Sequence, residues 1–101
     1  MKICIVRHGS AVSGAVQDQN RGLTERGEGQ AVGAGHWLAQ QAFNNPRILA
    51  SPFLRARQTA QAIADFNNAA FTNAVYKFPL HISKAADVAI AAVAQPKLAG
   101  I

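Results

Sequence analysis

Arg7-His8-Gly9 stands directly behind the apolar run Ile3-Cys4-Ile5-Val6 and combines three residue types suited to phosphate. Imidazole is a competent nucleophile toward phosphorus, guanidinium is a permanent cation with a planar fork of donors, and glycine lets the chain turn sharply. Taken alone, the triplet reads more simply as a strand that ends in polar residues at the surface. It becomes a site only if other cations converge on it, and Arg21, Arg55 and Arg57 are the candidates.

The flanking pattern supplies elements that would bring them together. Residues 2 to 6 form a continuous, β-branched apolar run, as in a strand covered on both faces of a parallel or mixed sheet. Residues 10 to 22 are small, polar and aperiodic, which makes them a loop. Thr24 is a good helix N-cap, followed by Glu25 and Glu28 in the first turn, and the helix extends to about Phe43. Its glycines, Gly27, Gly29, Gly33 and Gly35, each cost up to about 1 kcal/mol relative to alanine unless close packing repays them. Asn44-Asn45-Pro46 ends it.

Residues 47 to 50 read as a second strand, and Ser51-Pro52 as the N-cap and first position of a second helix to about Phe66. Residues 74 to 78 read as a third strand and residues 85 to 94 as a short alanine-rich helix before Pro96. Alternating strands and helices predict one α/β domain over residues 1 to 101, layered around a mainly parallel sheet. The expected core is Ile3, Ile5, Val6, Leu23, Trp37, Leu38, Ile48, Leu49, Leu54, Ile63 and Phe66. In such sheets ligands bind beyond the carboxyl ends of the strands. His8 and the 51–55 segment then share one edge, and Arg21 and Arg55 can reach it. Arg57 is two residues from Arg55, cannot share its helix face, and reads as a solvated charge.

Composition narrows the partners. The formal net charge is +5, from 10 Lys and Arg against 5 Asp and Glu, which suits an anionic ligand. The arginines are scattered between Arg7 and Arg57 with no run of basic residues, so a phosphate pocket fits better than a nucleic-acid groove. The lone cysteine, Cys4, lies in the first strand and has no internal disulfide partner, which points to a reducing cytoplasm. The first apolar run is too short for a signal peptide, and residues 88 to 94 are too few for a membrane span. No membrane role is expected.

Three segments together, Arg7-His8-Gly9, Arg21-Gly22-Leu23-Thr24 with Gly27, and Ser51-Pro52-Phe53-Leu54-Arg55-Ala56-Arg57-Gln58-Thr59-Ala60, resemble the histidine phosphatase superfamily. The branch they resemble is that of the short SixA-type phosphohistidine phosphatases, over about residues 1 to 66. The resemblance implies a phosphoglycerate-mutase-like three-layer sandwich. It implies that His8 attacks a phosphoryl group and forms a phosphohistidine intermediate, with Arg7, Arg21 and Arg55 holding phosphate oxygens. It implies no metal or organic cofactor, and a phosphohistidine on a partner protein, such as a histidine-containing phosphotransfer domain, as substrate. Such members also carry a second histidine in a later half of a longer domain, so the chain is expected to be C-terminally shortened. His36 reads instead as a surface or packing residue, His81 as a loop histidine, and Asp18 as a loop charge. A shortened sheet would expose an unpaired edge and favour self-association. The alternative to a phosphatase is a non-catalytic phosphate- or partner-binding module.

Overall fold

A computed structural model describes residues 2–14, 17–41, 43, 46–67, 71–73 and 88–93. Four strands, β1 (Lys2–Arg7), β2 (Arg47–Ala50), β3 (Phe71–Asn73) and β4 (Val88–Val93), form one sheet in the order β1-β4-β2-β3. Every strand pair in it is parallel. Two helices, α1 (Glu25–Gln40) and α2 (Leu54–Asn67), pack against each other, and a single 3-10 turn covers Asp18–Asn20.

The last described element corrects the sequence reading. Residues 88–93, expected in a helix, are the strand β4 between β1 and β2. Alanine favours helix as an isolated preference, but Val-Ala-Ile-Ala-Ala-Val is also a short apolar run of the kind that fills an interior parallel strand. Tertiary pairing on both sides decides between them. The third strand expected at residues 74–78 lies outside the described residues, as does His81; β3 comes just before them.

The signals for the first two helices hold with shifts at their ends, α1 stopping at Gln40 rather than near Phe43. Thr24 caps α1 as its spacing predicts, its hydroxyl oxygen accepting from Gly27 N at 3.0 Å. Helix α2 starts at Leu54, later than Ser51-Pro52 suggests. Ser51 Oγ instead accepts from Phe53 N at 3.3 Å in a local turn, and the Phe53 carbonyl receives the first helical N–H groups, from Ala56 and Arg57.

Leu38 of α1, Ala60, Ile63 and Ala64 of α2, and Ile48 and Ala50 of β2 form the central core, with Cys4, Val6 and Phe43 packed against it. Alternation along β1 therefore turns Cys4 and Val6 toward the helices, and Ile5 points the other way. Ile5 is 71% exposed, so the expectation of a strand covered on both faces fails here. The described residues make two layers, one of helices and one of sheet, and the third layer of the expected sandwich is not among them. Trp37 and Phe66, also expected in the core, are exposed at 56% and 44%. Small residues take their place: Ala31, Ala50, Ala56, Ala60 and Ala64 are buried and let the helices approach closely. At the crossing, a Cβ on Gly35 would stand 2.8 Å from the Ala62 carbonyl oxygen, so this glycine is repaid by helix contact. Gly29 and Gly33 meet nothing within 4 Å and are not repaid.

Candidate active site

Strand register brings the two distant motifs to one edge. Val6 of β1 and Ala50 of β2 are both opposite Ala92 of β4, so β1 and β2 end at the same level. They are two strand spacings apart, roughly 10 Å. Beyond that level the chain delivers Arg7, His8 and Gly9 from β1, and Ser51 to Arg55 from β2.

The loop after β1 is seated by backbone on both helices. Gly9 N donates to Thr59 Oγ1 at 3.2 Å, and Thr59 Oγ1 donates to the Arg55 carbonyl oxygen at 2.8 Å. On the other side Thr24 N donates to the Ser10 carbonyl oxygen at 2.8 Å, and Val12 N to that of Gly22 at 2.9 Å. Gly9, Ser10 and Gly27 touch backbone to backbone, so a Cβ on Gly9 or Gly27 would strike main-chain atoms. Only glycine permits that approach.

His8 is thereby oriented. Its Nδ1 lies 2.6 Å from the Gly9 carbonyl oxygen. A carbonyl only accepts, so Nδ1 carries the proton and Nε2 keeps its lone pair. Partial burial pushes the His8 pKa below its ordinary value, and the charges of Arg55, Arg7 and Arg21 push it the same way, while the Gly9 bond works against them. The net direction is down, which favours the neutral ring at neutral pH.

The arginines fall into two kinds of surroundings. Arg7 is exposed and lines, with His8, a cleft of about 560 Å³ whose other walls include Ser10, Arg26, Gln30, Ala34 and Thr59. Arg21 and Arg55 are tied to one segment. Arg21 Nη1 donates to Asp18 Oδ1 at 2.9 Å, and its Nε to the Val12 carbonyl oxygen at 2.7 Å. Arg55, fully buried, donates from Nη1 to the Asp18 carbonyl oxygen at 2.7 Å and from Nη2 to Asp18 Oδ2 at 3.3 Å. Its guanidinium carbon also lies 4.9 Å from the centre of the Phe53 ring. Arg57 is exposed and bonds the Pro52 carbonyl oxygen at 3.0 Å, in keeping with a surface charge. His36 is exposed too, edge-on to Phe66 at 5.9 Å.

Asp18 is the residue that sequence reasoning missed. It bridges both arginines, and hydrogen bonding from Arg21, then Arg55, holds its carboxyl below the usual carboxylate range. Its place three residues before Arg21 was a usable signal, but the Arg55 contact spans the fold. Thr59 was also legible, one helical turn after Arg55.

A half-buried histidine at the carboxyl edge of a parallel sheet, with the positive charges of Arg55, Arg7 and Arg21 acting on it, defines an α/β protein with a candidate anion site. The chain belongs to the histidine phosphatase superfamily (branch 1), which matches residues 3–74. It is 40% identical over 68 residues to phosphohistidine phosphatase SixA of Escherichia coli, covering 67% of this chain and 42% of that protein. It is 44% identical over 64 residues to a SixA homolog of Haemophilus influenzae, covering 58% of this chain and 39% of that one. The chain thus spans less than half the length of these curated relatives. Among solved structures, the protein histidine phosphatase SixA complexed with tungstate superposes with a TM-score of 0.71 at 26% identity, covering 91% of this chain and 69% of that one. A SixA structure from Agrobacterium tumefaciens gives a TM-score of 0.73 at 21% identity, over 90% of this chain and 67% of its own, and supports the fold.

Proposed function

We propose that the chain carries the nucleophile half of a phosphohistidine phosphatase site. The observation that carries this reading is the His8 Nδ1 to Gly9 contact, because it leaves Nε2 as the atom free to attack. Nε2 attacks the phosphorus of a phosphohistidine on a partner protein, a histidine-containing phosphotransfer domain being the type. The substrate P–N bond breaks as a P–N bond to His8 forms, and the departing imidazole leaves neutral with a proton taken from solvent water. Water then attacks the phosphoryl group on His8, releasing inorganic phosphate and restoring the free ring. Arg7, Arg21 and Arg55 hold the phosphoryl oxygens and offset the charge that shifts during transfer. The chemistry needs no metal or organic cofactor. A reducing cytoplasm is the setting that Cys4 suits, and no described helix is long and apolar enough to cross a membrane.

The state of Asp18 supports phosphohistidine over an alkyl phosphate. An ionised carboxylate held by two guanidinium groups is a poor proton donor, and an imidazole leaves with less protonic help than an alkoxide. The same contacts favour a second reading in one respect. Arg21 and Arg55 each already give two donors to neighbouring residues, so phosphate capture without turnover is the alternative. Phosphate release from a phosphorylated phosphotransfer domain, with His8→Ala as control, separates them. Release by the parent alone supports the phosphatase, binding without release supports the module, and equal release by both ends the role of His8.

We further infer self-association through β1. Among the described residues β1 pairs on one side only, with β4, and Ile5 beside that free edge is exposed. A row of unpaired backbone groups is a template for another strand, and the same edge of a second copy satisfies it reciprocally.

A further inference from the structure

Arg26, Gln30, Ala31 and Ala34 of α1 line the cleft that holds His8, and among them is a cation that the phosphoryl chemistry does not use. Arg26 and Gln30, four residues apart on one helix face, line it together with Arg7 and Ser10. Gln30 is engaged: its Oε1 accepts from Ser10 N at 2.8 Å. Arg26 is exposed and makes no hydrogen bond or ion pair with the described residues. No carboxylate is among the described residues lining the cleft, although Glu25 and Glu28 flank Arg26 in sequence. At about 560 Å³ the cleft is far larger than one phosphoryl group.

We propose that Arg26 is a specificity-determining residue that binds a carboxylate on the surface of the protein substrate, beside the phosphohistidine presented to His8. The inference rests on the phosphohistidine phosphatase reading. Three observations support it. Arg26 shares the cleft with His8, its guanidinium has no described partner, and the lining offers cations without counter-charge. A guanidinium at a wet rim adds little to the strength of an isolated pair but discriminates well between anionic and neutral surfaces. Arg7 and Arg26 then divide the work: Arg7 stands next to the nucleophile, and Arg26 reads what surrounds the transferred group.

The test compares a phosphorylated phosphotransfer domain with free phosphoramidate, using the parent chain and Arg26→Gln. The preference for the protein substrate, as a ratio of kcat/KM values, should fall about 5- to 10-fold in Arg26→Gln, mainly through KM, and Arg26→Lys should restore most of it. An unchanged preference overturns the proposal, as does a loss on phosphoramidate equal to that on the protein. Substrate-domain variants with surface carboxylates neutralised one at a time complete the cycle: one of them must abolish the difference between parent and Arg26→Gln. If a small bisphosphate, and no carboxylate variant, responds to Arg26→Gln, the second anion is a phosphate and the carboxylate assignment falls. Should the parent release no more phosphate than His8→Ala, the phosphatase reading fails by itself. Binding of the phosphorylated domain to His8→Ala, with and without Arg26→Gln, then decides the role of Arg26.

Discussion

Asp18 and Arg55, 37 residues apart in sequence, meet at two points: Arg55 Nη1 bonds the Asp18 carbonyl oxygen at 2.7 Å and Nη2 its carboxylate at 3.3 Å. Through the other carboxylate oxygen Asp18 also takes Arg21 at 2.9 Å. One carboxylate thus sets the spacing of two guanidinium groups beside His8. Asp18→Asn keeps the size but loses the charge and leaves only one acceptor oxygen on the side chain. Affinity for tungstate, a phosphate mimic, should fall about 10-fold in this variant, because two charge-assisted bonds that orient the arginines weaken. Isothermal titration reads it, and unchanged affinity would show that the arginines hold their positions without Asp18.

The pH dependence follows from His8. Burial, then Arg55, Arg7 and Arg21, lower its pKa below 6.5. With the neutral ring as the attacking form in the proposed mechanism, the rate should be level at neutral pH and fall only as pH drops below 6.5 through the lowered value. Stability should move with it: the unfolded histidine takes up its proton first, so acidification across that window favours the unfolded state. Asp18 titrates separately, since its pKa lies below 3.8 and its contribution is lost only as pH falls through that lower value. Arg55→Gln removes the largest cationic influence on His8 and should shift the acidic limb of the rate profile upward. A limb that stays in place would sink the electrostatic account.

Thr59 links the loop that carries His8 to α2. Thr59→Val keeps the shape but strips the acceptor from the buried Gly9 N–H, at a cost of about 1–3 kcal/mol. Urea denaturation measures that cost. Turnover should fall further than stability does, because the Gly9 carbonyl orients His8.

The glycines of α1 should respond in opposite directions. Gly33→Ala and Gly29→Ala enter open space and should stabilise by up to about 1 kcal/mol each. Gly27→Ala drives a methyl group into the Ser10 backbone and should destabilise by about 1–3 kcal/mol, displacing the His8 loop. Thermal denaturation of the three variants gives the order; a stabilised Gly27→Ala would contradict the close approach.

The β1 edge, unpaired among the described residues, predicts a concentration-dependent dimer in sedimentation, weakened by Ile5→Lys, which places a charge on the exposed side of β1. A single monomeric species at micromolar concentration would rule the pairing out.

Local signals made much of this legible. A β-branched run before Arg7-His8-Gly9 forms β1, Thr24 caps α1 where its spacing puts it, and β2 covers the predicted residues 47–50. Those features depend on neighbours in sequence, so propensity and capping chemistry suffice to find them. Other features are products of packing. Val-Ala-Ile-Ala-Ala-Val suits helix or strand, and pairing with β1 and β2 makes it β4, whose Ala92 levels the ends of both strands. Whether Ile5 is covered depends on what packs against its face, which alternation along β1 does not contain. Gly27 and Gly35 look alike with Gly29 and Gly33 as helix-weakening residues until Ser10 and Ala62 arrive against two of them. Asp18 reads as a loop charge until Arg55 is folded onto it, because a bond across 37 residues exists only once the sheet has brought both ends to one edge.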